Sequence, residues 1–271
     1  MMSENKLPTI GFIGTGAITS ALVTGLCGRA PQNPYPIVVS PEYADKAAAL
    51  KKKYPDRVMV AQSLQEVADR SDWLVLAVWP ESGEEVCRGI HFKPEHKVIN
   101  LLTDKTLPQV RSWIGETAVL LHMVPMTFNA FCDGPIVLCP PQEEASEIFG
   151  NIGKIIQVEE RYHAAVFATI TACATSFFSI LDALIEWARS EGVDGEAATK
   201  YISGFFHSVC EQAIQLDEKG VHVMATESTP GGINLLVKDI ISEQGGFEMW
   251  ARAMEPVIAR LTANIPQPAK K

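Results

Sequence analysis

Cysteine is sparse and unpatterned in this chain. The six in 271 residues, Cys27, Cys87, Cys132, Cys139, Cys173 and Cys210, include no C-x-x-C pair, so neither a zinc cage nor a disulfide framework is signalled. His207 and Cys210 share a helix turn without a third ligand, and no metal is expected. Positive charge is short as well. Against 32 Asp and Glu stand 23 Lys and Arg, a formal charge of -9, and the mean field repels phosphate polymers and anionic lipid heads. Nucleic acid and membranes are therefore not expected partners. Met1–Lys6 lack a basic stretch ahead of a long apolar run, which leads to a cytoplasmic expectation.

Long apolar runs are nearly absent. Ala164–Leu181 is uncharged for 18 residues, short of the ~20 of a typical membrane span, and it carries Thr169, Thr171, Thr175, Ser176 and Ser179. A buried helix is the expectation. Proline is missing from Gln142 to Thr229, although thirteen of the seventeen precede residue 142, and this marks a change of architecture. Ahead of it, β-rich runs alternate with helical patterns: Ile10–Ile13, Ile37–Ser40, Val58–Ala61, Trp73–Val78, Lys97–Leu102, Ala118–Met123, Pro135–Cys139 and Ile155–Val158. Such alternation predicts an α/β fold with a mostly parallel sheet. Behind it, one long helix over Tyr162–Ser190, a second over Glu196–Glu218 closed by Gly220, and two more over Ile233–Ser242 and Phe247–Leu261 are expected. The tail from Pro266 is expected to fray. The predicted organisation is a Rossmann dinucleotide-binding domain over 1–158 followed by an all-α domain over 159–271.

Two helix starts carry chemistry. Gly11-Phe-Ile13-Gly14-Thr15-Gly16-Ala17-Ile18 follows the first strand and opens a helix, the context a dinucleotide fingerprint requires. Gly14 permits the tight turn, Gly16 lets backbone N–H groups approach a pyrophosphate, and the helix directs its positive end at that anion. Thr19 stands where the strict pattern has Gly or Ala, which predicts a slightly wider approach of strand and helix. After the second strand, Ser40 can hold the extra phosphate of NADP, whereas Glu42 suits the ribose of NAD; both cofactors stay open. The second start, Thr229-Pro230-Gly231-Gly232-Ile233-Asn234, offers free N–H groups suited to a carboxylate.

Together with Ser40-Pro41, Asp72–Pro80, Met123 at a strand end and Ser228-Thr229-Pro230-Gly231-Gly232, these segments resemble the pyrroline-5-carboxylate reductases over nearly the whole chain. The resemblance implies a nicotinamide cofactor, NADP or NAD, on a Rossmann domain. It also implies a helical domain forming an interlocked homodimer, and an imino acid bound at the dimer interface against the Pro-Gly-Gly turn. On it, Gly11, Ile13–Ile18, Ser40 and Ala77-Val78-Trp79-Pro80 contact the cofactor, Met123, Pro125, Met126 and Thr229–Asn234 the substrate, and Asn234 is the catalytic candidate. Asn234 replaces a Thr that in the family bonds the imine nitrogen, Trp79 a Lys, and Ile170–Ser176 a glycine-rich segment.

The expected reaction is reduction of a small cyclic imino acid, pyrroline-5-carboxylate or a close analogue. A ketone acceptor needs a proton donor, but a cyclic iminium does not. The relevant helix has no Lys between Lys154 and Lys200, which favours C=N over C=O reduction. His122 beside Met123 is the competing acid. An amino-acid or opine-type dehydrogenase, and a dinucleotide-binding regulator without turnover, remain open alternatives. Phe177, Phe178, Trp187, Phe205 and Phe206 read as core or dimer interface.

Overall fold

A computed structural model describes residues 7–28, 34–227 and 229–265. Met1–Lys6, Ser228 of the second glycine turn and the tail from Pro266 lie outside the described residues. The chain divides into two compact units, Met1–Thr169 with Ile258–Lys271, and Ile170–Val257.

The first unit is an eight-stranded sheet made from the eight β-rich runs. Its strands are β1 (Ile10–Ile13), β2 (Ile37–Val39), β3 (Val58–Val60), β4 (Trp73–Leu76), β5 (Lys97–Asn100), β6 (Val119–Val124), β7 (Pro135–Cys139) and β8 (Lys154–Gln157). The spatial order is β3-β2-β1-β4-β5-β6-β7-β8. All neighbours are parallel except β6 and β7. Because the order reverses at β1, a crevice opens beyond its carboxyl end.

Helices α1 (Ala17–Gly28), α2 (Ala44–Lys53), α3 (Leu64–Arg70), α4 (Gly83–Arg88), α5 (Leu107–Ile114) and α6 (Glu143–Gly150) connect the strands. Strands covered on both faces lose the alternation of a half-exposed sheet, and β1, β2 and β4 are apolar throughout. Ile10, Phe12, Leu22 and Leu26 fill one face. Ile13, Val67, Leu74 and Leu76 fill the other. Local signals set the helix starts: Ser63 accepts the Glu66 N–H, and Thr106 forms a reciprocal capping box with Gln109, each stabilising by about 1 kcal/mol.

The expected helix over Tyr162–Ser190 is interrupted at Ala172, giving α7 (Arg161–Thr171) and α8 (Cys173–Ser190). The next, α9 (Gly195–Ile214), stops earlier than its pattern suggests. Gly220 closes nothing; it lies inside α10 (Glu218–Thr226), where the Asp217 side chain caps the helix by accepting the Gly220 N–H at 2.7 Å. A capping Asp outweighs the helix-breaking tendency of one glycine. Then follow α11 (Ile233–Glu243) and α12 (Gly246–Thr262).

The buried-helix expectation for Ala164–Leu181 holds only at its start. Ala164, Ala165, Ala168 and Thr169 are buried, but beyond them in α8 only Leu181 is. By length and composition the stretch Arg161–Ser190 suffices to cross a membrane, with 22 % of its apolar window buried. Phe178, Trp187 and Phe205 are exposed, so they belong to no core of this chain.

Candidate functional site

The loop between β1 and α1 is shaped by backbone necessity. Gly14 has φ +101°, and a Cβ there would stand 2.5 Å from the carbonyl oxygen of Ala77. No other residue type fits both demands. Gly16 faces open space, with nothing within 4 Å of an added Cβ. Hydrogen bonding within α1 begins with the Ser20 N–H to the Gly16 carbonyl at 3.0 Å. The N–H groups of Gly16, Ala17 and Ile18 are thereby left unspent at the positive end of a 12-residue helix. Open space over unspent donors is what a pyrophosphate needs, and these residues fit a dinucleotide.

Thr19 widens nothing. It is fully buried, and its Oγ1 donates to the Gly14 carbonyl at 2.6 Å, tying the helix to the turn that a third glycine serves elsewhere. Gly11 serves packing: a Cβ there would meet Ser71 Oγ at 2.3 Å and Val67 at 2.8 Å, so it admits α3 against β1. Ile13 is core, and only its carbonyl reaches the neighbouring loop, accepting the Ala77 N–H at 2.8 Å.

Ser40 requires correction. Expected at a ribose or phosphate, it is completely buried. Its Oγ accepts the Gly14 N–H at 3.0 Å and lies 3.1 Å from Thr15 Oγ1, which itself donates to the Ser40 carbonyl at 2.7 Å. Ser40 and Thr15 are the buttress of the glycine loop. The groups presented to solvent after β2 are Glu42 and Tyr43.

Beyond β4, Ala77, Val78 and Pro80 are half-buried and Trp79 is exposed. The Trp79 indole N–H donates to the Tyr43 hydroxyl at 3.1 Å. No sequence spacing links these two residues, and Tyr43 was absent from the sequence-based site.

The β6 end mixes core and surface. Met123, expected to line a pocket, is fully buried in the sheet core, because strand alternation turns it inward beside Leu121. Pro125 is buried, Met126 half-buried and Thr127 exposed. The turn is held by Asn129, whose Oδ1 accepts the Met126 N–H at 2.7 Å and whose Nδ2 donates to Asp133 at 2.8 Å.

His122 is no acid. It is fully buried, and its Nδ1 accepts from Asn100 Nδ2 at 3.3 Å. Burial, reinforced by the Arg161 guanidinium, holds its pKa well below the usual histidine value, so it stays neutral. Nearby polar atoms are also unsatisfied: His122 Nε2, Asp104 Oδ1, and Nε and Nη1 of Arg161 are buried without hydrogen-bond partners among the described residues.

In the second unit, Gly231 takes φ +73° and the Gly232 N–H bonds the Thr229 carbonyl at 2.9 Å. Gly232 then caps α11, and the first intrahelical bond runs from the Leu236 N–H to the Gly232 carbonyl at 3.2 Å. The N–H groups of Ile233 and Asn234 are free at a positive helix end. Thr229, Pro230, Ile233 and Asn234 are exposed.

A glycine loop at the switch point of a parallel sheet defines the class, a dinucleotide-binding α/β architecture. A family profile described as "NADP oxidoreductase coenzyme F420-dependent" matches residues 9–103. The pyrroline-5-carboxylate reductase of Escherichia coli is 26 % identical over 248 residues, 87 % of this chain and 90 % of its own. A pyrroline-5-carboxylate reductase structure from Coxiella burnetii superposes with a TM-score of 0.80 at 22 % identity, covering 97 % of this chain and 100 % of that one. That of Plasmodium falciparum with NADP bound gives 0.78 at 17 % identity over 94 % and 97 %. By sequence and fold together, the chain is similar to the pyrroline-5-carboxylate reductases over most of its length.

Proposed function

We propose that this protein is an NAD(P)H-dependent reductase of a small cyclic imino acid, pyrroline-5-carboxylate or a close analogue. The observation that carries the reading is the row of unspent N–H groups at Gly16–Ile18, facing open space above a buttressed glycine loop. Held there, NAD(P)H would provide the hydride for reduction of a C=N carbon. Thr15 and Ser40 hold the loop so that its N–H groups meet the pyrophosphate without reorganisation. NADP is supported by the cofactor of the Plasmodium relative.

Substrate binding falls to the second glycine turn. The free N–H groups of Ile233 and Asn234 suit a carboxylate, and the exposed amide of Asn234 can donate to or accept from the imine nitrogen. No side chain need act as a strong acid. An iminium arrives protonated, and the neutral, enclosed His122 supplies no proton, so the work of these residues is orientation. The exposed apolar residues of the second unit support a homodimer.

Oxidation of NADPH and NADH by the purified protein, with pyrroline-5-carboxylate against a panel of other cyclic imines, tests the reading. Turnover on pyrroline-5-carboxylate supports it in full, turnover on another ring revises the substrate, and cofactor binding without any turnover overturns it. Asn234→Ala should lower kcat by about 10- to 100-fold while the Kd for NADPH stays within twofold; unchanged kcat removes Asn234 from the site.

A further inference from the structure

We propose that Tyr43 and Trp79 form an aromatic clasp that reads the adenine of the dinucleotide, an assignment that rests on the cofactor reading above. Tyr43 follows β2 and Trp79 follows β4, the two strands flanking β1 and its glycine loop. Their 3.1 Å hydrogen bond joins loops 36 residues apart in sequence, bridging the two sides of the crevice.

Both residues are held by their backbones while their rings remain in solvent. Tyr43 sits in the left-handed region (φ 57°, ψ 58°), a conformation of order 1 kcal/mol uphill for a non-glycine residue. Its carbonyl is fixed by the Lys46 and Ala47 N–H groups at 2.9 and 3.1 Å. The Trp79 carbonyl accepts from the Ser82 N–H and Oγ, both at 3.1 Å. Yet the two residues are 51 % and 70 % exposed. Lys46 lies 5.3 Å from the Tyr43 ring centroid, which leaves the indole as the less occupied face.

The occupant follows from position and chemistry. In a doubly wound sheet the adenosine ribose lies at the end of the strand that carries Tyr43, whereas the nicotinamide lies toward the opposite strands. Ser40 is buried and already bonded, so the open surface beside that ribose is Glu42 and the aromatic pair, of which only the rings offer a face to a base. A flat purine stacks on such a surface without needing a base-specific hydrogen bond. Trp79 is thus a cofactor-binding residue and Tyr43 its positioning partner.

Calorimetry with NADPH and with ADP-ribose, which keeps adenine and lacks nicotinamide, tests the clasp on the intact protein. Trp79→Ala should raise both dissociation constants by the same factor, about 5- to 150-fold for one lost stacking partner. Trp79→Phe, which keeps a ring and loses the N–H, should recover most of the affinity. Tyr43→Phe should cost only about two- to threefold, because the ring stays and the bridge goes. Unchanged affinity of Trp79→Ala for both ligands overturns the clasp. So does loss of NADPH affinity with ADP-ribose unaffected, since the indole then acts at the nicotinamide end. Failure of the wild type to bind either ligand overturns the cofactor reading itself.

Discussion

The two units treat apolar side chains in opposite ways. In the first, Phe12, Trp73, Phe149 and the aliphatic residues of the strands are completely buried, and even Thr15, Thr19 and Ser40 spend their hydroxyls internally. In the second, Phe178, Tyr201, Ile214, Ile233 and Leu236 stand more than half exposed. A sheet covered on both faces satisfies itself. Helices whose apolar stripes face outward call for a cover, and in the proposed homodimer isologous pairing with a second copy would supply one.

The sharpest way to break the first half of this comparison is Gly14→Val. A side chain at φ +101°, aimed at a carbonyl 2.5 Å away, should cost about 2–4 kcal/mol of stability and abolish NADPH binding. Thermal unfolding and calorimetry read both effects. A variant that binds cofactor normally removes the glycine loop from the site.

The second half is tested by charge. Ile240, 47 % exposed on α11, becomes a buried carboxylate in a dimer when replaced by Asp. Sedimentation should show the wild type at twice the chain mass, and Ile240→Asp should raise the dimer dissociation constant by about 100-fold or more. A wild type that sediments as a monomer ends the dimer reading.

The smallest effect concerns the interior of the first unit. His122 is held neutral by burial, and its unfolded form protonates below the ordinary value of 6.5. The unfolded chain then binds the extra proton, so stability is complete above about pH 6.5 and falls as pH drops below it, by at most ~1.4 kcal/mol per pH unit. His96, lowered mainly by burial and then by Lys93, adds a slope of the same sign. Urea titrations from pH 7 to 5 should show a shallower acid loss for His122→Asn than for the wild type. An unchanged slope shows that His122 ionises in the folded protein.

Much of the fold was legible because its determinants are local. Eight β-rich runs bounded by turn residues became eight strands, and the glycine fingerprint became a strand–loop–helix with Gly14 at positive φ. Helix ends were less legible. The pattern over Glu196–Glu218 continues through a break because side-chain period does not report the Asp217 cap that restarts the chain. Gly14, Gly16 and the second glycine turn stand out in the sequence as helix starts, and the structure gives Gly14 and Gly231 the positive φ that such turns need. Ser40, Gly11 and Met123 were placed near ligands, but their side chains or missing Cβ atoms serve the interior.

Those errors share one cause. Composition and period determine which segments become strands and helices, and a φ that only glycine tolerates is written in the residue itself. Which face of a strand end looks inward, and which hydroxyl is already bonded, depends on neighbours distant along the chain. Ser40 was removed from solvent by Gly14 and Thr15, 26 and 25 residues earlier. Tyr43 and Trp79 met only because β2 and β4 pack on either side of β1. The sequence by itself determined the elements, the glycine turns and the apolar character of the second half; tertiary structure decided which polar groups were left to meet a ligand, because hydrogen bonds and burial are settled between strands and not along them.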